Sequence, residues 1–127
     1  MHRAVLASGV TVVLVALVAA CSSGSASSGG DSVSGPAPRG AARHDPVLVE
    51  GRHLFAQNCA RCHGDSGQGG VGPSLQHGKL QRDFPNVDTQ VAFVKHGKGI
   101  MPAWNGLLSS GQITAVVRYE REVLSAG

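Results

Sequence analysis

Cys59-Ala60-Arg61-Cys62-His63 constrains this 127-residue chain more than any other feature. Two cysteines separated by two residues and followed directly by histidine form the C-x-x-C-H attachment pattern of a c-type haem. On a helical turn the two thiols are spaced to add across the two vinyl groups of one porphyrin, and the histidine lies where its imidazole can ligate the iron. A chain built on this motif must wrap a flat, apolar cofactor bonded to its own backbone. Other uses of C-x-x-C are weaker here. A tetrahedral zinc site wants four ligands, and no second cysteine pair follows. A thioredoxin-like redox pair wants a strand before the motif in a βαβ setting, and no such pattern precedes Cys59. A plain disulfide is the remaining alternative.

A second axial ligand has one thioether candidate. The sequence holds two methionines, and Met1 opens an apparent export segment, which leaves Met101. It sits in Gly97-Lys98-Gly99-Ile100-Met101-Pro102-Ala103-Trp104, where glycines let the backbone approach a flat group and proline fixes the exit direction. Most methionines fill gaps in cores. One placed between glycines and a proline has no helical face to pack, which favours ligation. His53, His77 and His96 are alternative ligands if Met101 is not one.

The stretch from Val47 to Leu124 resembles a small class I cytochrome c of the single-haem type. Its landmarks come in that family's order: the haem motif, Gly72-Pro73-Ser74-Leu75 after a glycine-rich loop, Met101-Pro102, and a closing amphipathic helix with an aromatic. The resemblance implies an all-α cytochrome c fold, three to four short helices around one haem c held through Cys59 and Cys62. It implies His63 and Met101 as the iron ligands, and Pro73 as the carbonyl partner that orients His63. It also implies contact between the first and last helices at Gly51 and Tyr119. The implied function is electron transfer without catalysis, with redox proteins of a respiratory chain as partners and a haem-copper oxidase as a natural acceptor. A haem enzyme or a gas or peroxide sensor with a labile Met101, or the haem subunit of a larger dehydrogenase, are the alternatives. Trp104, Arg82 and Lys79 are candidate partners for the haem propionates.

Residues 1–21 read as an export signal, with His2 and Arg3 followed by an apolar run from Ala4 to Ala20. Val18-Ala19-Ala20-Cys21 resembles a bacterial lipobox, which accounts for the third cysteine as a lipidated anchor. Ordinary cleavage and an uncleaved membrane anchor are the competing readings. From Ser22 to Pro46 the chain is rich in Ser, Gly, Ala and Pro without apolar periodicity, and it reads as a flexible tether of about 25 to 30 Å mean reach. The resemblance implies that residues 47–127 form a cytochrome c domain. The expected location is the outer, periplasmic face of the bacterial cell membrane.

The net charge of +3 invites a nucleic-acid reading. From Val47 onward, however, eight Lys and Arg stand against six Asp and Glu, with no basic run and no interleaved aromatic platform. Gly67-Gln68-Gly69-Gly70-Val71-Gly72 matches G-x-G-x-x-G, yet it follows the haem motif and precedes a proline, so no nucleotide site is expected.

Local signals place the helices. Asp45-Pro46 reads as an N-cap with proline at the first position, and Asp88 as the cap of a short helix stopped by Gly97. Ser109 with Gln112 reads as a capping box opening the last helix, whose apolar face holds Ile113, Val116, Val117, Val123 and Leu124. Glu120 falls in the middle of that face, either at a frayed edge or paired with a basic residue.

Overall fold

The structure is a computed structural model that describes residues 32–127. The expected export segment, Cys21 and the start of the expected tether lie outside the described residues. Five helices follow in order: α1 (Pro46–Asn58), α2 (Ala60–His63), α3 (Lys79–Asp83), α4 (Val87–His96) and α5 (Ser110–Tyr119). A 3-10 turn (Gly40–His44) precedes α1, and a π-helical turn (Glu120–Leu124) prolongs α5. Three helices are long enough to carry a core, and α2 and α3 are single turns. Among the described residues there is no strand beyond two isolated bridges, and no helix is long and apolar enough to cross a membrane.

The helix starts follow from local chemistry. Asp45 accepts from the amides of Val47 and Leu48 at 2.9 and 3.4 Å, and Pro46 takes the position where no amide donor is needed. Ser109 and Gln112 close a reciprocal capping box at 3.2 and 2.9 Å. At α4 the cap is Asn86, not Asp88: Asn86 accepts from the Asp88 amide at 2.8 Å. Asp88 falls in the first turn instead, where its charge meets the positive end of the helix dipole.

Helices α1 and α5 form the most extensive pair. They meet at Gly51, where a Cβ would run into the Ala115 carbonyl and come within 2.8 Å of Tyr119 Cβ. Hydrogen there lets the backbones touch, and Phe55 and Tyr119 then pack with ring centroids 5.7 Å apart. Leu48, Leu54, Val116 and Leu124 join them in the main core, which extends through Cys59 and Ala60 to Leu75 and Leu80. Arg118 ties the pair together from outside, bonding Asp45 at 3.0 Å and Glu122 at 2.7 Å. A second cluster of Val94, Ile113 and Val117 joins α4 to α5, with Met101, Trp104 and Leu108 against it.

Residues 33–45, expected as part of the tether, belong to the folded body. Arg52 donates to the carbonyls of Val33 at 2.6 Å and Gly35 at 3.0 Å, and the Tyr119 hydroxyl donates to the Pro36 carbonyl at 2.7 Å. Pro38 is buried, and Ala42 packs on the main core. The anchors are backbone carbonyls met by side chains from α1 and α5, a docking that requires no apolar periodicity in the segment itself.

Candidate functional site

Helix α1 ends at Cys59, which is also the cap of α2, so the haem motif forms one turn at a helix junction. The amides of Cys62 and His63 both donate to the Cys59 carbonyl, at 3.1 and 3.0 Å. Both cysteines are free thiols; Cys59 is buried and Cys62 half-buried. Burial pushes the Cys59 thiol far above its ordinary value, with the charges of Glu120 and Cys62 adding to the effect. A redox-active C-x-x-C needs the opposite, a stabilised thiolate. Among the described residues no group of three or more His, Cys, Asp or Glu side chains is placed to hold a metal ion.

The glycine-rich loop is stitched to the motif. Gly69 donates to the His63 carbonyl at 2.7 Å and Gly72 to the Cys62 carbonyl at 2.8 Å. This brings the Pro73 carbonyl 2.9 Å from His63 Nδ1. A carbonyl only accepts, so Nδ1 carries the proton and Nε2 keeps a free lone pair for a metal. Gly72 passes so close to the imidazole that a Cβ there would lie 2.7 Å from Cε1 and 2.9 Å from Nδ1.

Met101 arrives on a tight turn after α4, fixed by paired bonds with Lys98 of 3.1 and 3.0 Å. It is half-buried, packed against the second cluster on one side and lining a cleft on the other. That cleft, of about 610 Å³, is lined by Cys59, Cys62, His63, Pro73 and Met101 together. Apolar side chains make up most of its wall, among them Leu75, Leu80, Phe84, Phe93 and Val94. Two thiols at one end, a nitrogen with a free lone pair, a thioether and apolar walls are the donor set and surroundings that a covalently attached haem requires, so the residues fit the group.

Among the described histidines only His63 lines the cleft; His53, His77 and His96 do not. Trp104 and Lys79 line it, while Arg82 turns to the His77 carbonyl at 2.7 Å. Two wall residues had little or no sequence signal. Glu120 is 5% exposed, neither frayed nor ion-paired, and accepts from Gln90 Nε2 at 2.9 Å. Gln90, 2% exposed, carries no signal in its neighbourhood at all. Glu120 could be suspected only as a carboxylate on an apolar helix face.

Comparisons with known proteins show the family to which this fold belongs. The family described as cytochrome c oxidase, cbb3-type, subunit III matches residues 46–119. Cytochrome c6 of Chlorolobion braunii is 33% identical over 76 residues, which cover 57% of this chain and 85% of that protein. The cbb3-type cytochrome c oxidase subunit CcoP of Cereibacter sphaeroides is 38% identical over 82 residues, 60% of this chain but 28% of the longer subunit. The solved structure of cytochrome c6 from the diatom Phaeodactylum tricornutum superposes with a TM-score of 0.52 at 30% identity, covering 59% of this chain and 91% of that one. The chain therefore belongs to the small class I cytochromes c, within the cbb3-type subunit III family, and is an electron-transfer protein with one covalently bound haem c.

Proposed function

We propose that this cytochrome is anchored through lipidated Cys21 to the outer face of a bacterial cell membrane and passes electrons to membrane-bound respiratory partners, a haem-copper oxidase among them. The observation that carries the proposal is the pairing of His63, its Nδ1 committed to Pro73, with Met101 on one apolar cleft. Cys59 and Cys62 would hold the haem through their sulfurs, and His63 Nε2 and the Met101 sulfur would be the protein's ligands to its iron. When bound, the haem supplies a one-electron ferric–ferrous couple. His63 and Met101 together would keep a substrate off the metal, and the Met101 thioether would favour the reduced state relative to a second histidine. Arg61 and Lys98 at the cleft give it cationic groups suited to steering an acidic partner surface. The match to a cbb3-type oxidase subunit supports an oxidase as the acceptor.

The test is an optical and electrochemical titration of the holoprotein beside Met101→Ala. The wild type is expected to be low-spin in the ferric state with the weak far-red band of methionine ligation. The variant should lose that band and drop in potential. An unchanged spectrum and potential would remove Met101 from the iron, and a high-spin ferric wild type would favour the enzyme or sensor reading. For the anchor, Cys21→Ala should move the protein from the membrane fraction to the soluble one; retention on the membrane would refute lipidation at Cys21 as the attachment.

A further inference from the structure

Glu120 is the one carboxylate on the cleft wall that forms no ion pair among the described residues. Lys79 and Asp83, on the same wall, pair with each other at 2.6 Å. Glu120 has instead a single side-chain hydrogen bond, from Gln90. Gln90 is fixed in turn by Arg121, whose Nη1 donates to its Oε1 at 2.9 Å and to the Phe84 carbonyl at 3.0 Å. Since Arg121 can only donate, it forces Gln90 to present its NH₂ to Glu120. The carboxylate is thus held and aimed, but its charge is balanced only at second hand. Helix α5 also changes character at this residue: the Ser125 amide bonds the Glu120 carbonyl at 2.8 Å, five residues back, opening the π-helical turn. Such turns often occur at functional positions.

Purely structural packing on this face calls for an apolar side chain, as at Val116 and Leu124. An isolated carboxylate enclosed beside a redox centre has a chemical consequence that leucine lacks. Adding an electron to the centre makes the enclosed region more negative, and this raises the proton affinity of any carboxylate there. We propose that Glu120 is a redox-linked proton acceptor: it binds one proton when the haem takes up an electron and releases it when the electron leaves. The electron comes from a protein donor and converts ferric to ferrous iron. The proton comes from solvent and converts carboxylate to carboxylic acid. Charge within the cleft is conserved in both directions. Burial already pushes the Glu120 carboxyl up to about 7, with the Gln90 hydrogen bond opposing the shift, which places the exchange near neutral pH.

The other titratable or charged groups around Glu120 are accounted for. Cys59, at the α1–α2 junction, stops titrating once its sulfur is bonded. His63 has Nδ1 committed to Pro73. Lys79 and Asp83 of α3 pair with each other. Arg61 of α2 and Lys98 after α4 lie on the cleft without bonding Glu120, and Arg121 reaches it only through Gln90.

The inference rests on a haem in this cleft. The optical spectrum of each sample reports haem content and ligation, so a failure of that assignment is seen separately from a failure of proton coupling. The experiment is a spectroelectrochemical titration of the holoprotein from about pH 5 to about pH 9, with Glu120→Gln and Gln90→Leu beside it. The wild-type potential should fall with pH around neutrality. The slope should approach about 59 mV per pH unit, the equivalent of a tenfold change in proton activity for one electron. Glu120→Gln should abolish that slope, whereas propionates as its source would leave it in place. Gln90→Leu should keep the slope and move it to higher pH. Redox-difference infrared spectra of the wild type should show a protonated-carboxyl stretch gained on reduction, which decides the matter even if Glu120→Gln does not assemble. A flat wild-type potential, a slope that survives in Glu120→Gln, or the absence of the carboxyl band each overturns the proposal.

Discussion

Replacing Gly51 with alanine should destabilise this protein, although the same change in most helices has the opposite effect. In a helix interior alanine is worth about 1 kcal/mol over glycine. At Gly51 the new methyl would sit 2.8 Å from both the Ala115 carbonyl carbon and Tyr119 Cβ. Neither can rotate away, since one is backbone and the other is fixed to it. An ordinary carbon contact requires α1 and α5 to separate by about 1 Å, and a gap of that size forfeits a quarter to a half of the dispersion energy of the contacts it opens. The contacts at stake are those of Leu48, Leu54, Phe55, Val116 and Tyr119, the part of the main core contributed by these two helices. Overpacking of this kind costs about 1 to 3 kcal/mol, and a backbone obstacle puts Gly51→Ala at or above the upper end. After subtracting the propensity gain, a net loss of about 2 kcal/mol remains. For a domain of this size that lowers Tm by about 8 to 16 °C. Gly111 provides the internal control. It lies in the first turn of α5, where a Cβ would meet nothing closer than Ser109 Oγ at 3.9 Å. Gly111→Ala should therefore hold or raise Tm. The assay is thermal unfolding of the haem-loaded protein followed by circular dichroism. Equal or higher stability of Gly51→Ala would show that helix propensity outweighs the close approach and would refute the crossing argument.

Two further outcomes are expected. Tyr119→Phe removes the 2.7 Å bond to the Pro36 carbonyl, a loss of about 1 kcal/mol, and should make residues 33–40 the first site of limited proteolysis; an unchanged cleavage pattern would mean that Arg52 alone holds the segment. Glu120 should make stability depend on pH, since burial raises its carboxyl from about 4.5 in the unfolded chain to about 7 in the folded one. Between those values the folded state holds a proton that the unfolded state lacks. The contribution is therefore complete below about pH 4.5, is lost as pH rises towards 7, and amounts to about 3 kcal/mol in total. Denaturant midpoints of wild type and Glu120→Gln across that range measure it, and parallel profiles would contradict it.

What the sequence disclosed and what it concealed divide by the range of the interaction responsible. Cys59, Cys62 and His63 were legible because covalent chemistry imposes their spacing. The caps at Asp45-Pro46 and Ser109-Gln112 were legible because a cap is completed within three residues. Asn86 and Asp88 satisfy the same local rule two positions apart, so the rule alone could not choose between them. The single turn α3 gave no periodic signal. It follows the left-handed His77 and Gly78 and carries the Lys79–Asp83 pair, features too short to register as a pattern. The docking of residues 33–45 depends on Arg52 and Tyr119 donating to carbonyls 17 or more residues distant, and carbonyls are present in every sequence alike. Glu120 lies between these cases. Its partner Gln90 is 30 positions away and could not be read, but a carboxylate on the apolar face of α5 could. A chain that buries an ionisable group where leucine would pack better has either a partner beyond the range of local pattern or a use for the proton. The structure supplies only a neutral partner, and that shifts the weight to the second explanation.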